Sequence, residues 1–288
     1  MQKILFIGAS GMLGQPVALE LLRAGFKLTL LARDVEKMQK LFPNAAVIKG
    51  DVFDTSSLEA AMTGHEIVYL NLSVAQTSKK KEPQPEREGI NNIIAAAKKS
   101  GIKRIVYLSS LIKNYHGMNG FKWWAFEIKH AAVNAIKKSG LNYSIFYPST
   151  FMECLDKQML QGTRLMLAGR SEAPMWFIAG KDFGVQVAWA LKKAGDSNQE
   201  YTVQGLEPFT FDEAAKVFIS NVKSPIKIMR APLAPLKYLG IFNQRMNYAY
   251  NICEALNKYP EKFESENTWN DLGKPSTTLA EYVASLKI

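Results

Sequence analysis

One short stretch near the start of the chain decides the fold: residues 3–14, KILFIGASGMLG. Its apolar first half predicts a β-strand that ends at Gly8, and apolar residues at helical spacing predict a helix from Met12 to Gly25. The glycines are spaced G-x-x-G-x-x-G, which permits a tight turn, a close approach of backbone N–H groups to a diphosphate, and close packing of helix on sheet. The helix N-terminus adds free N–H donors and a partial positive charge. The stretch therefore predicts a dinucleotide-binding turn made by Gly8, Ser10, Gly11, Met12, Leu13 and Gly14.

Outward from this turn, short apolar runs alternate with helix-like segments as far as Pro148. The runs are nearly continuous in hydrophobic residues, which is typical of parallel strands covered on both faces. This alternation predicts an α/β fold, a Rossmann-type doubly wound parallel sheet. Beyond it strands become fewer, and Phe151–Leu167 is interpreted as helical. We therefore predict a nucleotide-binding region over residues 1–150 and a smaller C-terminal α+β lobe over residues 151–288, interleaved with the sheet edge.

Composition excludes several classes of protein. Of the 288 residues 47% are hydrophobic and 22% are charged, so global disorder and fibrous structure are excluded. The two cysteines, Cys154 and Cys253, lie far apart and form neither a disulfide framework nor a zinc motif. The three histidines form no pattern typical of a metal site. Because no apolar run is long enough to span a membrane and no cleavable leader is recognised, we expect a cytoplasmic protein.

The net charge of +10 bears on ligands rather than on fold. Lysines and arginines are scattered along the chain, so the charge favours an anionic ligand and not a specific nucleic acid. The densest basic run, Lys79–Lys81, is followed by Glu82, Glu86 and Glu88. We interpret this region as a solvated loop.

The end of the second predicted strand bears on the choice of nicotinamide coenzyme. A carboxylate there would bind the ribose 2′-hydroxyl of NAD, whereas a guanidinium suits the 2′-phosphate of NADP. This chain has Arg33, then Asp34, and Lys37 one helical turn later. Asp34 is interpreted as a helix N-cap, with the NAD carboxylate as the alternative, and Arg33 is either a phosphate ligand or a surface charge. The pattern predicts NADP rather than NAD.

Other segments resemble a known family. Residues 48–52, IKGDV, and residues 139–153, SGLNYSIFYPSTFME, resemble segments of the NmrA-like subgroup of atypical, extended-type short-chain dehydrogenases/reductases. Residues 101–110 and 182–191 agree with this pattern, and the resemblance extends over about residues 3–195. Relatives in this subgroup include quinone reductases, isoflavone-type reductases and redox-sensing regulators.

The resemblance implies further coenzyme contacts. Asp51 would accept a hydrogen bond from the adenine amino group, with Val52 nearby. Ligands of such folds bind outside the carboxyl ends of the parallel strands. On that rule the nicotinamide side is expected to be lined by Asn71, Leu72, Ser73, Ser109, Pro148 and Phe151. For Ser109 a turn-forming role, and for Phe151 simple core packing, remain equally good interpretations.

The catalytic residues depart from the family pattern. Short-chain dehydrogenases usually carry a Tyr-x-x-x-Lys pair, in which the tyrosine donates a proton and the lysine lowers its pKa and binds the nicotinamide ribose. Here Lys129 holds the lysine position, but Ala125 stands in place of the tyrosine. Three interpretations follow: Lys129 is itself catalytic as well as coenzyme-binding, as the isoflavone-reductase-like relatives imply; Tyr115 or His116 supplies the proton; or the protein binds the coenzyme without catalysis.

The substrate pocket is expected between the sheet edge and the C-terminal lobe, and its candidate lining residues are Trp123, Trp124, Phe151, Met159, Trp176 and Phe177. The resemblance therefore predicts an NADP-dependent reductase of a carbonyl, quinone or activated double bond, acting on a small molecule as a monomer or homodimer. A non-catalytic NADP(H)-binding redox sensor is the alternative. A sugar-nucleotide epimerase or dehydratase is a further alternative, which the missing tyrosine disfavours.

Overall fold

The computed structural model describes residues 2–288, so residue 1 of the predicted nucleotide-binding region lies outside the described chain. The described residues form twelve strands: β1 (Lys3–Ile7), β2 (Lys27–Ala32), β3 (Ala46–Lys49), β4 (Ile67–Leu70), β5 (Arg104–Leu108), β6 (Asn142–Pro148), β7 (Leu160–Gln161), β8 (Arg164–Ala168), β9 (Met175–Trp176), β10 (Gln199–Val203), β11 (Pro208–Phe209) and β12 (Lys227–Ala231). They also form eleven α-helices: α1 (Gly14–Arg23), α2 (Val35–Leu41), α3 (Thr55–Met62), α4 (Ile90–Lys99), α5 (Trp124–Lys137), α6 (Gly180–Lys193), α7 (Phe211–Asn221), α8 (Leu233–Leu239), α9 (Gln244–Lys258), α10 (Glu266–Leu272) and α11 (Leu279–Ser285).

Seven of the strands form a parallel central sheet in the order β10-β6-β5-β4-β1-β2-β3. In its centre, Ile4 of β1 lies opposite Leu28 of β2 and Ile67 of β4. The strand order reverses between β1 and β4, so the carboxyl ends of these two strands open a crevice. This architecture confirms the predicted Rossmann-type doubly wound α/β fold.

Side chains of β1 alternate between two hydrophobic cores, one on each face of the sheet. Ile4 and Phe6 pack with α1, α2 and α6, whereas Leu5 and Ile7 pack with α3, α4 and α5. Each of the four side chains is at most 3% exposed. Burying a side chain of this size stabilises the fold by roughly 1.5–3 kcal/mol. Because both faces are covered, the strand is hydrophobic at every position.

Residues after 150 contribute to the sheet and also form the smaller lobe. Helix α6 packs closely on α1, where a Cβ on Gly184 would lie 2.9 Å from the side chain of Glu20. Strand β10 then extends the sheet by pairing with β6. A three-stranded sheet of order β12-β8-β7, a two-stranded β11-β9 pair and helices α7 to α11 make up the α+β lobe. The division of the chain at residue 150 stays a prediction.

The helix predicted over Phe151–Leu167 is wrong beyond Met159. A π-helical turn at Leu155–Met159 is followed by β7 and β8, which pair antiparallel across a turn with Gly162 at a φ of +58°. Within β8, Leu165 and Leu167 are buried and their neighbours are more exposed. This period of two residues favours a strand.

Two kinds of structure are absent from residues 2–288. None of the helices there combines the length and the apolar character needed to cross a membrane. In the same part of the chain, no group of three or more His, Cys, Asp or Glu residues is arranged to hold a metal ion.

Candidate functional site

The glycine loop lies in the crevice between β1 and β4. Gly8 has a φ of +92°, and a Cβ there would lie 2.1 Å from the carbonyl oxygen of Asn71. A Cβ on Gly14 would lie 2.1 Å from the carbonyl oxygen of Gly8. Both overlaps involve backbone, so the packing of loop, helix and sheet itself requires these two glycines. Gly11 differs, because a Cβ there would lie 3.3 Å from its nearest neighbours and would fit with little displacement. Gly11 also lines a cavity, where the absence of a side chain lets a ligand approach the backbone closely.

The N-terminus of α1 is not capped by a side chain. Leu13 occupies the N-cap position without a side-chain hydrogen bond, and the first turn of α1 has no acidic residue. In contrast, Asp34 and Asp54 cap α2 and α3 through their carboxylates. The Gln15 N–H donates to the Gly11 carbonyl oxygen at 3.1 Å, so the N–H groups just before it, at the junction of the loop and α1, are left for a bound anion, and a diphosphate fits there.

A cavity of about 330 Å³ lies beside the loop, at the carboxyl end of β2. We call it the cationic cavity, because its lining includes the exposed side chains of Arg33 and Lys37 together with Gly8 and Ser10. Asp34 Oδ1 accepts a hydrogen bond from the Lys37 N–H at 3.0 Å. The interpretation of Asp34 as an N-cap is thereby confirmed, and the lining holds the Asp34 and Asp51 carboxylates beside the two cations.

Asp51 and Val52 line the same cavity from the end of β3. Asp51 Oδ1 accepts a hydrogen bond from the Phe53 N–H at 3.0 Å, and the Asp51 N–H donates to Ser57 Oγ at 3.1 Å. These bonds fix the turn after β3 and orient the carboxylate. Leu72, after β4, lines this cavity and also the next one.

A second cavity of about 360 Å³ lies on the other side of the loop. We call it the aromatic cavity, because Trp123, Phe126, Phe151 and Tyr248 line it. The predicted coenzyme residues in its wall are Gly11, Met12, Leu13, Asn71, Leu72, Ser73, Ser109, Lys129, Pro148 and Phe151. Of all the predicted coenzyme residues, Gly14 is the one that lines neither cavity, since it packs beneath the loop.

A buried carboxylate holds the ammonium group of Lys129. Lys129 Nζ donates to Glu86 Oε1 at 2.5 Å, and the Tyr107 hydroxyl donates to the same oxygen at 2.5 Å. The side chain of Glu86 is 1% exposed and that of Lys129 is 16% exposed. Removing one partner of such a buried pair costs far more than breaking an ion pair at the surface. The pair therefore fixes the position of the lysine in the cavity wall.

The sequence analysis wrongly placed Glu86 in a solvated loop. In the structure a π-helical turn at Pro85–Gly89 precedes α4, and Glu86 is buried within it. One signal in the sequence was available: Tyr107 lies in the hydrophobic run 105–108, and a buried tyrosine hydroxyl normally needs a hydrogen-bond partner.

Burial and charge shift several pKa values around this pair. Burial, and then the negative charge of Glu86, holds the pKa of Tyr107 well above its usual range, so the phenol remains a donor. Burial, and then the positive charge of Lys129, lowers the pKa of Lys113 to about 8. Burial raises the pKa of Cys154 to about 12, so this cavity-lining thiol is not an ionised nucleophile at neutral pH.

Two hydroxyl groups in the wall of the aromatic cavity lack a protein partner. Ser109 Oγ and Ser110 Oγ are buried and have no hydrogen-bond partner within residues 2–288. Both residues follow β5 and line the cavity. Unpaired buried hydroxyls are uncommon in native proteins, so these two are available to a polar ligand or a water molecule. Together with the open N-terminus of α1, they fit a dinucleotide that extends across both cavities.

The structure places the alternative proton donors Tyr115 and His116 in other contacts. The buried ring of Tyr115 packs 4.9 Å from the ring of Phe121, and His116 Nδ1 accepts the Trp123 N–H at 3.2 Å. Neither residue lines the aromatic cavity. Lys129 is the predicted catalytic candidate that the structure brings there.

The apolar lining was predicted only in part. Trp123 and Phe151 line the aromatic cavity, whereas the structure places four other predicted residues elsewhere: Trp124, Met159, Trp176 and Phe177. The sequence analysis missed Tyr248 of α9, whose ring lies 5.1 Å from that of Trp123. Burial, and then the charge of Glu86, raises the pKa of Tyr248 to about 12, so its hydroxyl stays protonated. Its spacing with Ile252 and Leu256, which also line the cavity, was the available signal.

Two relatives match most of the chain. The photosystem II assembly factor Ycf39 of Synechocystis sp. is 22% identical over 259 residues, which are 88% of this chain and 78% of that protein. The NAD(P)H azoreductase of Xenophilus azovorans is 23% identical over 292 residues, covering 97% of this chain and 96% of that protein.

Solved structures share the architecture over nearly the whole chain. The triphenylmethane reductase of Citrobacter sp., complexed with NADP(H), has a TM-score of 0.74 at 18% identity and covers 98% of this chain and 99% of that chain. A nucleoside-diphosphate-sugar epimerase of Staphylococcus aureus has the same TM-score of 0.74 at 18% identity, covering 99% of this chain and 100% of that chain. At these identities the likeness establishes the fold.

A family model described as NAD(P)H-binding matches residues 8–169, more than half of the chain. The match begins at Gly8 and includes the predicted coenzyme residues as far as Phe151. The chain therefore belongs to the NAD(P)H-binding family.

Proposed function

We propose that this chain is an NADPH-dependent reductase that acts on a carbonyl, quinone or other activated double bond of a small molecule. The observation that carries the proposal is the Lys129 ammonium group, which the buried Glu86 carboxylate fixes in the wall of the aromatic cavity. The names of two similar proteins, an azoreductase and a triphenylmethane reductase, support a reductase.

The coenzyme would extend across both cavities. The N–H groups at the start of α1 would hold its diphosphate, Arg33 and Lys37 its 2′-phosphate, and Asp51 its adenine amino group. The unpaired Ser109 hydroxyl would meet the nicotinamide end. When bound, the reduced coenzyme supplies a hydride. Because the Asp34 carboxylate already caps α2, the cationic cavity favours the extra phosphate of NADPH over the ribose hydroxyl of NADH.

Side chains of the aromatic cavity would act on the substrate. Lys129 Nζ would donate a hydrogen bond, and then a proton, to the substrate oxygen or nitrogen on which negative charge develops. Glu86 Oε1 orients this ammonium group, and the Tyr107 hydroxyl holds the carboxylate in turn. The rings of Trp123 and Phe151 would exclude water from the reacting atoms.

A non-catalytic NADP(H) sensor is the second candidate. Ala125, which replaces the usual tyrosine, favours it, because the ordinary proton donor is absent. The same residue disfavours the epimerase that the Staphylococcus structure suggests, since a tyrosine is the usual acid–base group of that chemistry.

The test is NADPH oxidation by wild-type protein against a panel of quinones, azo dyes, triphenylmethane dyes and aromatic aldehydes. With a substrate from this panel, Lys129→Met is expected to lower kcat about 10²–10³-fold, the usual contribution of a positioned acid. Because this variant leaves the buried Glu86 carboxylate without its cation, its free energy of unfolding is also expected to fall by on the order of 3–5 kcal/mol.

The double variant Lys129→Met/Glu86→Gln is the matched control. Neutralising both partners is expected to restore most of the free energy of unfolding while leaving kcat low. Wild-type turnover by the double variant would contradict the catalytic role of Lys129. NADPH binding without turnover across the whole panel would favour the sensor instead.

A further inference from the structure

The corner between α8 and α9 exposes an unusual concentration of large apolar side chains. We call its four residues the apolar corner: Tyr238 is 68% exposed, Leu239 55%, Ile241 70% and Phe242 91%. Elsewhere in the described chain the exposed large apolar residues lie singly, and the most exposed of them, Trp189, reaches 49%. A cluster of this kind, unlike scattered single residues, marks an interaction surface.

The corner is a defined structure. Gly240 is buried, and a Cβ on it would lie 2.9 Å from the Cα of Asn247. Its N–H donates to the carbonyl oxygen of Leu236 at 2.9 Å, and the Asn243 side chain caps α9 by accepting the N–H groups of Arg245 and Met246. No residue of α8 is buried. Backbone and capping hydrogen bonds therefore hold the corner in place, and its apolar side chains remain exposed to solvent.

The chain segment that carries the corner is basic, although Glu172 and Glu254 line a cavity together with Lys237. The segment from Val222 to Cys253 contains no Asp or Glu, although the chain has 26 acidic residues. It contains five exposed cations: Lys223, Lys227, Arg230, Lys237 and Arg245. Within residues 2–288, Arg230 is the only one of these five that pairs with a carboxylate, that of Asp212.

We propose that the apolar corner docks this protein on an anionic membrane surface. Exposed apolar side chains flanked by lysine and arginine are the features of interfacial segments, in which the apolar groups enter the headgroup boundary and the cations contact lipid phosphates. An anionic membrane is favoured as the binding partner because its negative charge complements the exposed lysines and arginines. A second copy of the chain would bring the same unpaired cations against each other across a symmetric interface, which opposes self-association.

The docking surface adjoins the substrate site through α9. Phe242 precedes this helix, and Tyr248, Ile252 and Leu256 on it line the aromatic cavity. At about 1.5 Å of rise per residue, Tyr248 lies roughly 9 Å from Phe242 along the axis of α9. A docked protein would therefore hold this wall of the cavity near the lipid.

The test is co-sedimentation of the full chain with vesicles of phosphatidylcholine alone or of equimolar phosphatidylcholine and phosphatidylglycerol. Wild-type protein is expected to bind the anionic vesicles, to bind them more weakly at high salt, and to leave the neutral vesicles unbound. Ile241→Ser/Phe242→Ser is expected to weaken binding at least tenfold. Lys237→Gln/Arg245→Gln is expected to weaken it and to flatten its salt dependence. Trp189→Ser, which removes an exposed aromatic residue on another surface, is expected to bind as the wild type does.

Circular dichroism melting of each variant checks that the fold is intact, which the exposure of the substituted side chains favours. Absence of vesicle binding by the wild type would overturn the proposal, as would unchanged binding by Ile241→Ser/Phe242→Ser. A dimer seen by light scattering without lipid, and abolished by the same double variant, would assign the corner to self-association and would also overturn it.

Discussion

The two cavities beside the glycine loop are constructed differently. Apart from Leu72 and Pro85, the cationic cavity is lined by residues between Ile7 and Phe53, in the first βαβαβ unit. The aromatic cavity is lined by residues as distant in sequence as Gly11 and Leu256, and it includes helix α9 of the C-terminal lobe. The first is a local motif, whereas the second exists only after the whole chain has folded.

On the proposed function the coenzyme would contact both cavities, whereas the substrate would contact the aromatic cavity alone. A local motif with fixed glycines and cations leaves little freedom to bind anything but a dinucleotide. A wall assembled from a second lobe can change without disturbing the motif, so the fold alone does not specify a substrate. The variants below affect, in turn, the loop that the two cavities share, the packing behind it, the cationic cavity and the aromatic cavity.

The largest expected effect belongs to the loop that both cavities share. Gly14→Ala places a Cβ 2.1 Å from the Gly8 carbonyl oxygen, so helix and sheet must separate. The expected cost is about 3 kcal/mol of unfolding free energy, measured by urea denaturation. Gly11→Ala, whose Cβ has 3.3 Å to its neighbours, is the matched control and is expected to lose less than about 1 kcal/mol. Equal losses would contradict the assignment of different roles to the two glycines.

The second effect depends on pH and acts where α1 and α6 meet behind the loop. Burial raises the pKa of Glu153 to about 7, and its Oε1 accepts the Gly180 N–H at 2.8 Å. Since the folded state favours the neutral carboxyl, its contribution to stability is complete at low pH and is lost as pH rises from about 4.5 to about 7.

Glu153→Gln keeps an acceptor for this N–H and removes the titration. Relative to wild type, the variant is expected to gain on the order of 3 kcal/mol between pH 4 and pH 8, because each pKa unit corresponds to about 1.4 kcal/mol. Urea unfolding at the two pH values measures this difference. A constant difference between variant and wild type would show that folding does not shift the pKa of Glu153.

Arg33→Ser tests the cationic cavity alone. The loss of a charge-assisted hydrogen bond to the 2′-phosphate is expected to weaken NADPH binding at least about tenfold and to leave NADH binding nearly unchanged. Calorimetric titration with both coenzymes measures the two affinities. Lys40→Ser removes an exposed cation of α2 that does not line the cavity, and it is expected to bind both as the wild type does. An equal loss for NADPH and NADH would contradict a contact with the 2′-phosphate.

Tyr248→Phe tests the aromatic cavity and is expected to have the smallest effect. The ring keeps its contact with Trp123, and only the protonated hydroxyl is lost. One neutral hydrogen bond corresponds to a rise in substrate KM of about three- to tenfold, with unchanged NADPH affinity. Steady-state kinetics measures the substrate KM, and titration measures the NADPH affinity. A weaker NADPH affinity with an unchanged KM would show that Tyr248 contacts the coenzyme rather than the substrate.

The contrast between a local motif and a site assembled from distant residues also explains which features could be predicted from the sequence. The sheet, the glycine turn and the position of Arg33 at the end of β2 follow from spacing within a few residues, and they could be predicted; the contact of Arg33 with a 2′-phosphate stays a prediction. Glu86 could not, because its burial depends on Tyr107 and Lys129, which approach it only in the folded protein. Tyr248 was missed for the same reason: helical spacing indicates an apolar face but not the surface that this face will meet.

The central claim is that the two cavities are the two ends of one coenzyme site. A crystal structure of the chain with NADPH tests it most directly. The account predicts one NADPH with its 2′-phosphate at Arg33, its diphosphate on the N–H groups at the start of α1, and its nicotinamide beside Lys129. Coenzyme bound outside the glycine loop, or confined to one cavity with its nicotinamide away from Lys129, would contradict the account.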